Sequence, residues 1–166
     1  KADFYNLLQS TVDKVPSNDI LILDGDFNAR VGSKDNTGNW NRVIGRHNLH
    51  ETNEQGELLL EFCASNGLCI TNTFFRHKNI HQQTWQHPRS KKWSCIDFVI
   101  TRQRDLRLFS DTRVMRSANC WTDHYLVKST LSIKPIKRKT VDEAPRKRYD
   151  VSKLKDPTIR SQYTSD

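Results

Sequence analysis

The chain has no long hydrophobic run. None of its apolar stretches approaches the roughly 18 residues that a membrane-crossing helix needs, which excludes a transmembrane protein of that kind. The basic-then-apolar opening of a secretory signal is absent too. Methionine is nearly missing, with Met115 the single instance, and the chain opens at Lys1, so it reads as part of a longer polypeptide. Cysteine is sparse and unpatterned. Cys63, Cys69, Cys95 and Cys120 form no C-x-x-C pair, which argues against a zinc knuckle. Each sits in an apolar or strand-like context and reads as a small core residue. Unpaired cysteines suit a reducing compartment, nuclear or cytoplasmic, better than secretion. There is no internal repeat.

What is present is an ordinary folded composition. The 166 residues match one domain, and 35% hydrophobic with 28% charged residues is too apolar for wholesale disorder. The net charge of +8 is unevenly placed. Residues 1–133 hold 17 basic and 14 acidic residues, whereas residues 134–160 hold 10 basic and 4 acidic. A basic excess favours polyanions, because each neutralised phosphate releases counterions. A solvated tail accounts for the same charge, and composition alone leaves both open.

Phe4, Leu7, Leu8 and Val12 recur at helical spacing, so the opening segment is an amphipathic helix stopped by Val15-Pro16. Ile20–Leu23 is a short apolar run, expected as a buried strand ending at Asp24. Residues 32–41 are a Gly-, Asn- and Asp-rich loop. A second helix begins after Thr52 or Asn53, is expected to bury Leu58, Leu59, Phe62 and Cys63, and stops at Asn66-Gly67. Strands are expected at 68–73, 83–86, 94–100, 113–116 and 124–133, with residues 87–93 as a hairpin loop. Beyond Lys134 periodicity fades and Pro, Lys and Arg take over. The boundary therefore falls there: residues 1–134 form an α/β domain of packed sheets flanked by helices, and residues 135–166 a basic linker without fixed structure.

Three segments gather acid, amide and imidazole groups at strand ends. The first is Asp24-Gly25-Asp26-Phe27-Asn28, where Asp26 and Asn28, two residues apart, share a face of an extended chain. A carboxylate beside a carboxamide suits a hard cation and a phosphoryl oxygen, although the same residues are common in turns. The second is Trp93-Ser94-Cys95-Ile96-Asp97-Phe98. A charge inside an apolar strand is costly unless partnered, so Asp97 calls for a histidine or a set of loop amides. The third is Thr122-Asp123-His124, just before an apolar strand, where both side chains can converge on a pocket. Histidine suits proton transfer near neutral pH.

In this order and spacing the three motifs resemble the endonuclease/exonuclease/phosphatase superfamily, in its apurinic-endonuclease-like branch. The phrases GDFNARVG, ELLLEFCASNGLCITNTFF, TWQHPRSKKWSCIDFVI and RSANCWTDHYLV are similar to the endonuclease domain of RTE-type LINE retrotransposons and to a domesticated relative of it. The likeness covers residues 2–134, and KRYDVSKLKD resembles the linker that precedes a reverse transcriptase domain. The resemblance implies the C-terminal part of a DNase I-like four-layer α/β sandwich. It implies cleavage of a DNA phosphodiester with Mg²⁺, or Mn²⁺ in its place. Asp26 would position and deprotonate the attacking water, and Asn28 would bind the phosphate. Asp97 would orient His124 and fix its tautomer. Asp123, with Asp26 and Asn28, would hold the metal. DNA contacts are expected at Arg30 and Trp121, beside two of the motifs, and at Trp85, Arg89, Lys91 and Lys92 in the hairpin. An ordinary solvated turn with two core tryptophans is the plainer reading of that hairpin.

The superfamily's first half, with its metal-binding glutamate, has no counterpart here; Glu51, Glu54, Glu57 and Glu61 read as the solvated face of one helix. Three functional readings follow. One is an endonuclease in the parent protein, with this chain inactive by itself. Another is a decayed or domesticated remnant acting as an interaction module. A third is a phosphoinositide-type phosphatase of the same superfamily.

Overall fold

The computed structural model describes residues 2–33, 40–49, 51–118, 121–133 and 151–163. The chain divides into two compact units, Lys1–Ile133 and Lys134–Asp166.

Helix α1 (Ala2–Val12) forms as its periodicity predicts, but its buried face is rotated. Tyr5, Leu8 and Val12 meet the core, while Phe4 and Leu7 are exposed. Both stripes have helical spacing. The Tyr5 ring, 5.5 Å from that of Phe62, decides between them. Strand β1 (Ile22–Asp26) begins later than expected and runs through Asp24. It is not a buried strand: Leu21 is buried, whereas Ile22, Asp24, Gly25 and Asp26 are exposed. Its position explains this, since β1 is the edge of a sheet ordered β1-β5-β2.

Helix α2 (Glu54–Ser65) starts at Asn53, whose side chain accepts the Gly56 N–H, and ends before Gly67 at φ 61°. Its buried residues are Gly56, Leu59, Leu60, Phe62 and Cys63; Leu60 replaces the expected Leu58, which is only half-buried. Strand β2 (Leu68–Ile70) is shorter than expected because residues 71–73 turn into a 3-10 helix, with the Thr73 hydroxyl donating back to the Ile70 carbonyl at 2.7 Å. Strands β3 (Trp85–Gln86) and β4 (Trp93–Ser94) make the hairpin. The expected strand 94–100 is divided. Cys95 and Ile96 separate β4 from β5 (Asp97–Arg102), because the Ile96 carbonyl turns to accept the Phe27 N–H and its N–H donates to Thr84 Oγ1. Strands β6 (Phe109–Met115) and β7 (Leu126–Leu131) form a separate antiparallel ladder, the first longer and the second shorter than expected.

The core is built on β5, whose four central residues are buried, as an apolar run between two neighbouring strands demands. Phe98 and Ile100 pack with Leu59, Leu60, Leu68, Ile70, Val31 and Ile44. Full burial of each such side chain contributes about 1.5–3 kcal/mol. Cys63, Cys69 and Cys95 are buried free thiols, as expected of core residues.

In the second unit a 3-10 turn (Val151–Lys155) precedes α3 (Pro157–Tyr163). The sequence led to the expectation of no fixed structure here. The helix start has a local cause: Asp156 accepts the Thr158 N–H at 2.9 Å, and proline suits a first helical position. Residues 134–150 of the basic stretch lie outside the described residues. Among the described residues no helix is long and apolar enough to cross a membrane.

Candidate active site

The antiparallel register of β1 on β5 pairs Asp26 with Asp97 directly across the strands. Two carboxylates in that position repel each other, at a cost of up to about 1 kcal/mol. His124 joins one of them: its Nδ1 lies 3.1 Å from both Asp97 oxygens, and both side chains are partly buried. An ionised carboxylate can only accept, so Nδ1 carries a hydrogen toward Asp97. Ligand atoms of Asp26, Asp97 and His124 all fall within 4.8 Å of one another. The first two motifs and the histidine of the third therefore meet at one end of the sheet.

Asp26 is exposed, and its Oδ1 accepts the Asn28 N–H at 2.8 Å. Asn28 is exposed at φ 49°, so the chain has left the strand: Asp26 and Asn28 are brought together by a turn, not by strand alternation as the sequence suggested. The other Asp26 oxygen remains for a cation. Hard carboxylate oxygen completed by water and substrate phosphate is the donor set Mg²⁺ takes, whereas His124 Nδ1 is engaged by Asp97. The site residues thus fit a divalent ion held through Asp26.

Asp123 Oδ2 accepts the Trp85 indole N–H at 2.9 Å, and Asp123 is not in the Asp26, Asp97 and His124 cluster. That hydrogen bond, reinforced by the loop's own N–H and by His124, holds the Asp123 carboxyl below the usual carboxylate range. Its role in the structure is to fasten the loop before His124 to the hairpin. Adjacent residues on a strand point apart, and Trp85, bridged to His124, takes up the one that points away.

Of the expected DNA-contacting residues, Arg30, Lys91 and Lys92 line one cleft of about 480 Å³ with Glu51, Gln83, Trp93 and Ser94. Arg89 is exposed at the hairpin tip, where His87 Nδ1 accepts the Arg89 and Ser90 N–H groups. Trp85 is half-buried, its ring against His87 and His124. Trp121 is 94% exposed. Asn119 and Cys120, in the phrase RSANCWTDHYLV, lie outside the described residues.

Several site-shaping residues carried no signal that motif reading used. Thr84 is fully buried; its Oγ1 accepts the Ile96 and Asp97 N–H groups, and its carbonyl accepts the Tyr125 N–H at 2.7 Å. One residue therefore aligns the strand bearing Asp97 with the one following His124. Asn72 donates to the Asp97 carbonyl and accepts the Val99 N–H. Asn53, besides capping α2, accepts the Arg30 N–H at 2.9 Å and clamps the loop after Asn28. The Arg116 guanidinium lies 3.7 Å from the Trp93 ring centre and 4.4 Å from that of Tyr125, tying the hairpin to the same strand. Thr84 and Arg116 both sit inside the resembling phrases, but their hydrogen bonds and contacts are non-local.

The fold is the DNase I-like α/β architecture, present in part. Among solved structures, the endonuclease domain of TRAS1, a telomere-specific non-LTR retrotransposon, superposes with a TM-score of 0.56 at 19% identity, over 81% of this chain and 52% of that one. In sequence the chain is homologous to craniofacial development protein 2. It is 37% identical to the protein of Bos taurus over 139 residues and 35% identical to that of Tragulus javanicus over 139 residues. These matches take in 82% of this chain but only 23% and 24% of those relatives, so the chain spans about a quarter of their length. No protein-family model matches.

Proposed function

We propose that the chain carries the Asp26, Asn28, Asp97 and His124 groups of a divalent-metal-dependent DNA endonuclease, acting within a longer protein. The observation that carries this reading is the meeting of Asp26 with the Asp97–His124 pair at one sheet end. Hydrolysis forms a bond from water oxygen to phosphorus as the bond from phosphorus to the sugar oxygen breaks. Asp26 accepts the water's proton, and the leaving oxygen takes one from solvent. His124 Nε2 and the Asn28 amide face the phosphate oxygens, where charge builds up. Asp97 keeps the imidazole turned toward them. A Mg²⁺ ion, or Mn²⁺, held by Asp26 would neutralise charge on the phosphate. The cations Arg30, Lys91 and Lys92 in one cleft support a polyanionic backbone as substrate, and the likeness to a retrotransposon endonuclease domain supports DNA.

The test uses the full-length parent protein with supercoiled plasmid. Nicking should require Mg²⁺, stop with EDTA and vanish in His124→Ala. A parent protein that does not nick leaves the non-catalytic interaction module as the reading. A parent that releases phosphate from phosphoinositide head groups and spares DNA would make it a phosphatase. Residues 1–166 alone should not nick, since the described residues bring no glutamate to the cluster. Mg²⁺-dependent nicking by this chain would overturn that expectation.

A further inference from the structure

We infer that the far end of the β1-β5-β2 sheet carries a second site, a cleft lined by Arg42, Arg102 and Arg104 that takes a nucleoside phosphate. It is separate from the Asp26, Asp97 and His124 cluster and does not depend on the endonuclease reading.

The cleft holds about 610 Å³, within the roughly 300–1,000 Å³ of small-molecule sites. Its place follows from β5. Asp97 begins that strand and Arg102 ends it, so five residues, about 17 Å, separate the cleft from the candidate active site.

Three guanidinium groups line the cleft and, among the described residues, no carboxylate does. Arg102 and Arg104 reach the same loop. Arg102 Nη1 donates to the Asp19 carbonyl at 2.6 Å and Arg104 Nη2 to the same oxygen at 3.5 Å, and both also donate to the Ser17 carbonyl. Two like charges gathered on neutral oxygens repel, and an anion between them relieves this. The Asp105 carboxylate, 3.6 Å from Arg104 Nε, answers one of them. Arg102 and Arg42 have no ion-pair partner among the described residues. Arg42 is exposed, with its head free to turn toward a ligand. Three cations against one carboxylate leave the cleft short of negative charge, and the guanidinium fork matches phosphate oxygens.

The negative end of α2 lies beside the cleft through Asn66 and Gly67, but its carbonyls are engaged. Those of Phe62 and Ala64 accept the Asn66 and Gly67 N–H groups, and that of Gly67 accepts the Gln103 N–H at 2.9 Å. The remaining surface is apolar. Phe74 and Leu106 are half-buried in the lining, and the Phe74 ring makes no ring contact among the described residues. Phosphate alone would leave that surface bare. A nucleoside phosphate lays its base on the ring while the arginines hold its oxygens.

The test is calorimetric titration of the 166-residue chain, in EDTA, with AMP, adenosine and inorganic phosphate. AMP should bind about tenfold more tightly than either fragment, because it alone uses both the ring and the arginines. Arg42→Ala should weaken AMP about tenfold and Arg42→Lys less, since an ammonium keeps the charge without the fork. Both variants should unfold at the wild-type urea concentration, which separates lost binding from lost fold. An azido-AMP photolabel should map by mass spectrometry to residues 66–74 or 102–106. A 5′-phosphorylated oligoadenylate distinguishes the sources of the group: binding tighter than AMP identifies a strand end, and binding no tighter identifies the free nucleotide. No binding of AMP, binding unchanged in Arg42→Ala, or labelling confined to residues 84–94 or 121–124 would overturn the inference and leave the DNA reading standing.

Discussion

Thr84→Val tests whether one buried hydroxyl aligns the Asp97–His124 pair. The substitution keeps side-chain shape and removes Oγ1, which accepts from the Ile96 N–H at 3.0 Å and the Asp97 N–H at 3.3 Å. The Ile96 interaction is buried, so that donor is left without a partner at about 1–3 kcal/mol. The Asp97 N–H is only part-buried and can regain water, adding less. Together the loss comes to about 2–3 kcal/mol. With a urea dependence of about 1–3 kcal/mol per molar, the unfolding midpoint read by far-UV circular dichroism should fall by about 0.7–3 M. Thr84→Ser keeps the oxygen and drops one methyl, so it should cost only about 1 kcal/mol. In the full-length parent, Thr84→Val should lower nicking more than Thr84→Ser. A Val variant no less stable than the Ser variant would refute the assigned role.

Gly56→Ala should be severe, because its Cβ would stand 1.8 Å from the Arg30 carbonyl oxygen, which is backbone and also accepts the Asn53 N–H. Denaturation should show a loss of several kcal/mol, against about 1 kcal/mol for Gly67→Ala, where the φ of 61° is strained but nothing lies within 4 Å. The buried thiols predict an alkaline limit. Burial pushes Cys69 up from 9.0 to about 12 and raises Cys63 and Cys95 further. Their contribution to stability is complete below the unfolded value near 9 and declines as pH rises toward the folded values. Native protein at pH 8 should therefore resist iodoacetamide at these three positions, as mapped by mass spectrometry, and label fully in urea. Labelling at equal rates in both states would contradict the burial.

Local patterns were readable in proportion to how local their causes are. The α2 cap at Asn53 and the stop at Gly67 depend on a few neighbouring residues, and the structure has both. The exposed edge of β1, the break at Cys95-Ile96 and the burial of Leu60 in place of Leu58 depend on partners far along the chain. Asp123 shows the same limit: its hydrogen-bond partner, the indole of Trp85, lies 38 residues away.

The sequence by itself determined the α/β class, the three motifs and the chemical groups available, because residue type and spacing fix what a strand end can offer. Tertiary structure alone decided which of those groups meet. The antiparallel register of β1 on β5 places Asp26 opposite Asp97, and Thr84 aligns the strand that brings His124 to them. Register and non-local hydrogen bonds come from the packing of the whole domain, and no window of the sequence contains them.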